Sequence, residues 1–357
     1  EISACLVGSE MCIRDSILGV AFQADITVTF QMEKVGLGLY PGKGYAGKVI
    51  VADIGIDTDK TVADIGVAYT YEPEEFRKLL PRRMEDSNKG MYGRLLIIAG
   101  SKGMSGAAYL NAKAAYKAGA GLVQIYTPED NRIILQELLP EAIVKTYDFF
   151  DEGELIRLLK WADTVCIGSG MGTSEKSKKI LKTALENLSV PCLIDADGLN
   201  LIAEHRKYMD RIPHDHLIIT PHMKEMSRLT GISVLELKSR RMEILKEFTE
   251  KHHITCVLKD SSTVVASPGE RAYINRSGNA SMAKAGAGDV LAGIVAGLMA
   301  QGMDCQEAGI LGTYLHGRAG DLARREKGSY SVMAGDLIEY LSEAFKEQEE
   351  KNYEQLY

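Results

Sequence analysis

No apolar run in this chain of 357 residues is long enough to cross a bilayer. The longest, 290–300, has 11 residues and includes Gly293 and Gly297, where a spanning helix needs ~20, so no membrane role is expected. Basic excess is missing too. The 42 Lys and Arg stand against 49 Asp and Glu, a net charge of −7, which argues against a general nucleic-acid binder. Cysteine is sparse: Cys5, Cys12, Cys166, Cys192, Cys256 and Cys305 form no CxxC pair and no ladder of short spacings. That pattern fits small core residues with reduced thiols in a cytoplasmic protein, not a disulfide framework. His214, His216 and His222 lie near one another, but no Cys or Asp stands at ligand spacing, so no metal site is expected. Repeats and low-complexity tracts are absent.

Glycine, by contrast, is abundant at 35 of 357 residues, above the usual ~7%. It gathers where backbone must turn sharply or approach a ligand closely. A 45% hydrophobic fraction with 25% charged residues is ample for a buried core. At ~150 residues per domain, the length suggests one large domain or two smaller ones.

Five stretches follow along the chain. Residues 1–16 lack a starting Met, a basic region and a clean apolar core, so they are no signal peptide and are expected to be an artefactual leader. Residues 17–58 hold β-rich runs at 26–30 and 48–54 around a Gly-rich turn at 40–47, expected as the closing strands of a domain whose body lies upstream. A polar linker is expected at 59–75, the main domain at 76–350, and a tail at 351–357. Within the main domain, strand-like runs at 95–99, 122–126, 164–167, 192–194, 217–220, 254–258, 263–266 and 272–274 alternate with helical ones. The helices are expected at 73–80, 106–117, from about Glu129, at 174–187 and 235–251, then from near Ala287, Cys305 and Ala334. Such alternation predicts an α/β fold with a mostly parallel sheet, helices on both faces, and ligands beyond the carboxyl ends of the strands.

The glycine clusters differ in what they can do. Residues 42–48 read GKGYAGK, but Val49 stands where a P-loop needs Ser or Thr, and no helix is expected to follow, so this is a turn. Gly168-Ser-Gly170-Met-Gly172 has the strand-then-helix context of a dinucleotide fingerprint, yet the third glycine position holds Thr173. A ligand approach and a simple turn stay equally open there. Gly286-Ala287-Gly288-Asp289 opens an apolar helix with Leu291, Ile294, Val295 and Leu298 at helical spacing. Gly293 and Gly297 on that helix permit close packing against a neighbour. Free N–H groups at a helix start attract anions, while an Asp there suits a base beside a reacting hydroxyl. An ordinary Asp cap with flexible glycines is the even alternative. Lys259-Asp260-Ser261-Ser262-Thr263, at a strand end, suits nucleotide phosphates or a plain charged hairpin. His222, in Thr220-Pro221-His222 with Glu225, could contact a polar substrate.

These pieces, with Asn88-Lys-Gly-Met-Tyr-Gly-Arg94, Gly106-Ala107-Ala108, Asp195-Ala-Asp197 and Tyr314-Leu-His-Gly317, stand in an order that resembles the ADP/ATP-dependent NAD(P)H-hydrate dehydratase family of the ribokinase-like superfamily, over about 69–343. The resemblance implies a three-layer α/β/α sandwich with a mostly parallel central sheet. It implies Asp289 as the base, Gly286, Ala287 and Gly288 as an anion hole, and Lys259, Asp260, Ser261, Ser262, Thr263 and Gly288 as nucleotide contacts. Ala107, Gly170, His222 and Asp289 would contact the hydrated dinucleotide. ADP or ATP with Mg²⁺ would supply the phosphate, and a homotetramer is the family habit. The chain departs from the family pattern at Met223 and Lys224, which replace Pro and Gly, at Ala285 and Ala287, and at Asp260, which replaces Gly and adds negative charge near the phosphates. Residues 24–30, 34–42 and 53–56 resemble the tail of the NAD(P)H-hydrate epimerase domain, whose catalytic body is expected to lie upstream of these residues, leaving no epimerase activity here. Rival expectations are a ribokinase-like kinase of a thiazole or pyrimidine alcohol and a nucleotide-binding regulator without turnover.

Overall fold

In the computed structural model, residues 21–56, 68–205, 208 and 216–349 are described; the expected leader, the tail, residues 57–67 and His214 lie outside them. The first elements are two strands, β1 (Ile26–Phe30) and β2 (Lys48–Ala52), which pair in parallel as a separate sheet. Parallel pairing demands a crossover, and two short helices provide it: α1 (Val35–Gly38) and α2 (Gly42–Ala46). The expected turn at 40–47 is therefore mostly helix α2, a correction. Between the two helices Leu39 is fully buried and joins the core of the main domain alongside Val264, Ala272 and Ile274.

The main domain is a ten-stranded sheet built from β3 (Ala68–Tyr69), β4 (Arg94–Ile98), β5 (Leu122–Pro128), β6 (Ile143–Tyr147), β7 (Thr164–Ile167), β8 (Cys192–Ile194), β9 (Leu217–Ile219), β10 (Thr255–Leu258), β11 (Val264–Ala266) and β12 (Ala272–Ile274). Their order is β3-β12-β11-β10-β9-β8-β7-β4-β5-β6, with only the β10–β11 and β11–β12 pairs antiparallel. The central strands β8 and β9 are apolar throughout, and β4, β7 and β10 are apolar after their first residue, as a sheet covered on both sides requires. On β4, Leu95 and Ile97 enter one core cluster while Leu96 and Ile98 enter the other.

Helices α3 (Ser105–Lys117) and α4 (Arg132–Leu138) lie on the first face, and α5 (Glu152–Trp161), α6 (Glu175–Asn187), α7 (Ala196–Glu204), α8 (Met223–Thr230), α9 (Val234–Ser239) and α10 (Arg241–His252) on the second. The chain returns to the first face with α11 (Ala287–Ala300), α12 (Cys305–Lys327) and α13 (Ala334–Glu349). This is the expected three-layer sandwich. Among the described residues no helix is long and apolar enough to cross a membrane. Cys166, Cys192 and Cys256 are free, buried thiols, as expected of core residues.

Several differences from the sequence reading have physical causes. The single helix expected at 235–251 is two, because Arg240 leaves helical geometry (φ −127°, ψ 29°) and Arg241 turns into the interior, where it is 1% exposed. Strand β6 was missed because it is a partly exposed edge with no continuous apolar run. Part of the expected linker, Ala68–Tyr69, joins the sheet beside β12.

Helix α11 is the element that reaches the site, and it lies against α3 at a separation only glycine allows. A Cβ at Gly293 would meet the Asn111 carbonyl oxygen at 2.1 Å, and one at Gly297 the Ala115 oxygen at 2.7 Å. Gly293→Ala is expected to destabilise the domain by about 1–3 kcal/mol in urea unfolding. Gly335→Ala on α13, where a Cβ meets nothing within 4 Å, should be neutral or stabilising by up to ~1 kcal/mol. Equal effects from the two substitutions would contradict this packing account.

Candidate active site

Strands β7, β8, β9 and β10 are neighbours and parallel, so the residues that follow them share one edge of the sheet. After β7 comes Gly168-Ser169-Gly170; after β8, Asp195; after β9, Thr220-Pro221-His222; after β10, Lys259. The start of α11 joins this row from the helical layer. Gly286, at φ 90°, makes the left-handed turn into α11, where the Ala287 N–H donates to the Lys284 carbonyl at 3.3 Å.

A buried ion pair organises the row. Lys259 Nζ lies 2.6 Å from Asp195 Oδ1, and the Thr220 hydroxyl donates to the same oxygen at 2.7 Å. Asp195 is 1% exposed. Burial works to lower the Lys259 pKa, but the charges of Asp195 and Glu225 outweigh it and hold the ammonium above its ordinary value. The ammonium lies 3.5 Å from the place a Cβ would take on Gly288, so the cation sits against the first turn of α11.

Asp289 is in that same turn. Burial, reinforced by the negative charge of Asp195, pushes its carboxyl up to about 6, while a hydrogen bond with Ser169 and the charge of Lys259 hold it back. Ser169 is in turn oriented by Asn111 on α3, whose Nδ2 donates to its hydroxyl at 3.1 Å. Asp289 can therefore change protonation near neutrality within reach of a fixed cation and a helix N-terminus. That combination suits a base that takes a proton while negative charge builds up nearby.

The other expected residues fall into two groups. Ala107 and Gly170 are brought together beside this row, since a Cβ on Gly170 would lie 2.7 Å from that of Ala107. His222 stands next to Lys259 through a strand-like bridge and caps α8. Its Nδ1 accepts from the N–H groups of Lys224 and Glu225, and Glu225 accepts from the N–H of His222 at 2.8 Å. Both donors are backbone N–H groups that Gly at 224 and Glu at 225 would also provide, so the departures at Met223 and Lys224 leave this cap unchanged.

Within 259–263, the residues diverge. Lys259 faces Asp195, and Ser261 is exposed. Asp260, expected to add negative charge near phosphate, instead pairs with the buried Arg241 at 3.0 Å. Ser262, 2% exposed, donates to the Gly38 carbonyl at 3.0 Å. The Thr263 hydroxyl turns back to the Asp260 carbonyl at 3.4 Å.

Sequence reasoning assigned no role to Asp195, Ser169, Asn111 or His316. His316, on α12, is held neutral by burial, its pKa lowered to about 4, and it hydrogen-bonds the Ala287 backbone. Its Nε2 has no hydrogen-bond partner among the described residues. The available signal for Asp195 was a carboxylate directly after a fully apolar strand; the rest become visible only in three dimensions. Among the described residues no group of three or more His, Cys, Asp or Glu side chains could hold a metal ion.

Residues 95–343, most of the chain, match the NAD(P)H-hydrate dehydratase family. The chain belongs to that family. Family members are enzymes, and the bifunctional NAD(P)H-hydrate repair enzyme Nnr of Moorella thermoacetica is 38% identical over 341 residues, covering 93% of this chain and 64% of that protein. The chain thus spans somewhat less than two thirds of such bifunctional relatives. The ADP-dependent (S)-NAD(P)H-hydrate dehydratase of Neisseria meningitidis serogroup B is 35% identical over 269 residues, 73% of this chain and 88% of that protein. Among solved structures, the ADP/ATP-dependent NAD(P)H-hydrate dehydratase of Bacillus subtilis, co-crystallised with ATP and Mg²⁺, gives a TM-score of 0.70 at 29% identity, covering 80% of this chain and all of that one. A ribokinase-like superfamily protein of Enterococcus faecalis gives 0.71 at 26% identity, covering 80% and 97%. The dehydratase domain of this chain is accordingly ribokinase-like.

A carboxyl raised from 3.8 to about 6 binds its proton more tightly in the folded state than in the unfolded chain. Its ionisation therefore costs stability above pH 6, and this cost vanishes below about pH 4. Asp289→Asn should be more stable than the parent at pH 7.5 by about 1–3 kcal/mol, with the gap closing by pH 4, as read from urea midpoints. A gap that does not change with pH would contradict the raised carboxyl.

Proposed function

We propose that this chain catalyses the ADP- or ATP-dependent dehydration of the (6S) hydrate of NADH or NADPH, restoring the dinucleotide and releasing phosphate. The observation that carries this reading is Asp289, its carboxyl raised to about 6 in the first turn of α11, beside the buried cation of Lys259. Asp289 takes the proton of the hydrate's hydroxyl as that hydroxyl's oxygen attacks the terminal phosphorus of the nucleotide, whose bridging P–O bond breaks to release AMP from ADP or ADP from ATP. The N–H groups of Gly286, Ala287 and Gly288, with Lys259, hold the negative charge of the transferring group. Phosphate then leaves the ring carbon with the C–O electrons, and loss of a ring proton restores the double bond.

In this reading the loop 259–263 with Gly288 holds the nucleotide, and Ala107, Gly170, His222 and Asp289 hold the hydrate. The pairing of Asp260 with Arg241 supports it, because the carboxylate that would repel phosphates is already neutralised. Mg²⁺ belongs with the nucleotide: it keeps several waters, binds phosphate oxygens, and needs only one or two carboxylates from a protein. A cytoplasmic homotetramer is part of the proposal, by family habit.

Residues 17–58 are, in the same reading, the closing part of an epimerase domain like that of bifunctional relatives. The apolar side chains of Ile26, Val28, Phe30, Ile50 and Val51, all exposed on β1 and β2, suit a sheet whose remaining layers belong to that domain.

The test supplies the hydrate of NADH with Mg²⁺ and either ADP or ATP and follows recovery of absorbance at 340 nm together with free phosphate. Recovery with equimolar phosphate is expected, and Asp289→Asn should slow it by about 10²–10⁴-fold. A product that retains the phosphate would identify a kinase instead. No recovery with either donor would overturn the reading.

A further inference from the structure

The segment 42–48 imitates a P-loop and finds no use as one, yet the first of its two lysines, Lys43, lies at the loop 259–263. Lys43 Nζ is 3.5 Å from the Ser262 hydroxyl, and that hydroxyl donates to the Gly38 carbonyl at 3.0 Å. Both contacts cross more than two hundred residues of sequence, from the N-terminal segment to the loop 259–263. Their geometry is fixed by Leu39, which is fully buried in the core of the main domain. The backbone N–H of Lys43 donates to the Leu39 carbonyl at 2.8 Å, so the anchor sets where the lysine stands. Glu33, just ahead of α1, forms an ion pair with Arg276 beyond β12 and secures the other side of the segment.

Lys43 itself is half-buried, and none of the ion pairs among the described residues gives it a carboxylate within 4 Å. The negative charge that acts on it comes from Asp321 on α12, while Asp260 in the loop is already matched to Arg241. A partly desolvated ammonium without a close counter-ion, touching a serine of a loop suited to phosphates, is a place for a ligand anion.

Resting on the functional reading above, we propose that Lys43 is a cationic contact for the nucleotide's phosphates, delivered to the loop 259–263 by the N-terminal segment, whose seat thereby helps to set nucleotide affinity. Lys259 serves the phosphate next to Asp289, and Lys43 serves the loop's far side at Ser262. The N-terminal segment is then part of the nucleotide site and more than a tether.

The experiment measures the Kd of fluorescent ADP and ATP analogues for the whole chain and for three variants, each checked by circular dichroism for an unchanged fold. Lys43→Met is expected to raise Kd by about 5–20-fold, the scale of a charge-assisted contact at a half-exposed site. Lys43→Arg should stay within about twofold of the parent. Lys48→Met, which removes an exposed charge of the same segment on β2, should leave Kd unchanged. In turnover, the Lys43→Met defect should fall on the KM for nucleotide more than on kcat. An unchanged Kd in a folded Lys43→Met variant, an equal loss in Lys48→Met, or no rescue by arginine would each overturn the proposal while leaving the dehydratase reading intact. Absence of nucleotide binding by the parent chain would overturn both.

Discussion

The site depends on one buried ion pair, Lys259 with Asp195 at 2.6 Å. Two charges taken out of water are tolerable only when they meet with good geometry and their remaining hydrogen-bonding capacity is used. Here the Thr220 hydroxyl shares the Asp195 oxygen, and the free side of the ammonium faces the first turn of α11. The pair ties the ends of β8, β9 and β10 to the helix that carries Asp289. It also adds to the local electrostatics: burial raises the Asp289 carboxyl and Asp195 reinforces this, while Ser169 and Lys259 restrain it, which leaves the group at about 6. A cation fixed by a buried carboxylate needs no reorganisation when an anion arrives, and this is what electrostatic catalysis requires.

That arrangement is held from behind by packing. Helix α11 could not bring its N-terminus to the strand ends without the close seat on α3, which Gly293 and Gly297 permit. The same contact places Asn111 under Ser169, and Ser169 under Asp289. His316 from α12 hydrogen-bonds the backbone of Ala287 in the first turn of α11. Fold and chemistry are thus linked through two glycines and an asparagine that never face the substrate.

How much of this was legible in the sequence follows from what each signal measures. Fully buried strands announce themselves as apolar runs, so β4, β7, β8, β9 and β10 could be placed within a residue or two, and with them the sheet edge that carries the site. The edge strand β6 carries no such run and was invisible. Short-range chemistry was readable at Gly286–Asp289 because free N–H groups and an acid coincide there. Long-range pairings were not: nothing in the spacing of Asp195 and Lys259, or of Arg241 and Asp260, says that they meet. The expected repulsion between Asp260 and phosphate was a sensible local inference that a buried arginine nineteen positions away cancels. The turn expected at 40–47 became a helix because the flanking strands pair in parallel, a fact of tertiary structure that local turn chemistry does not encode.

The central claim is that Asp289, held near pH 6 by burial and by the Lys259–Asp195 pair, acts as the base. The most direct measurement is kcat/KM for the hydrate between pH 5 and 8, which reports the ionisation of the free enzyme. A rise of about tenfold per pH unit that levels off near pH 6 is the predicted result. A flat profile across that range, with the enzyme folded throughout, would contradict the account.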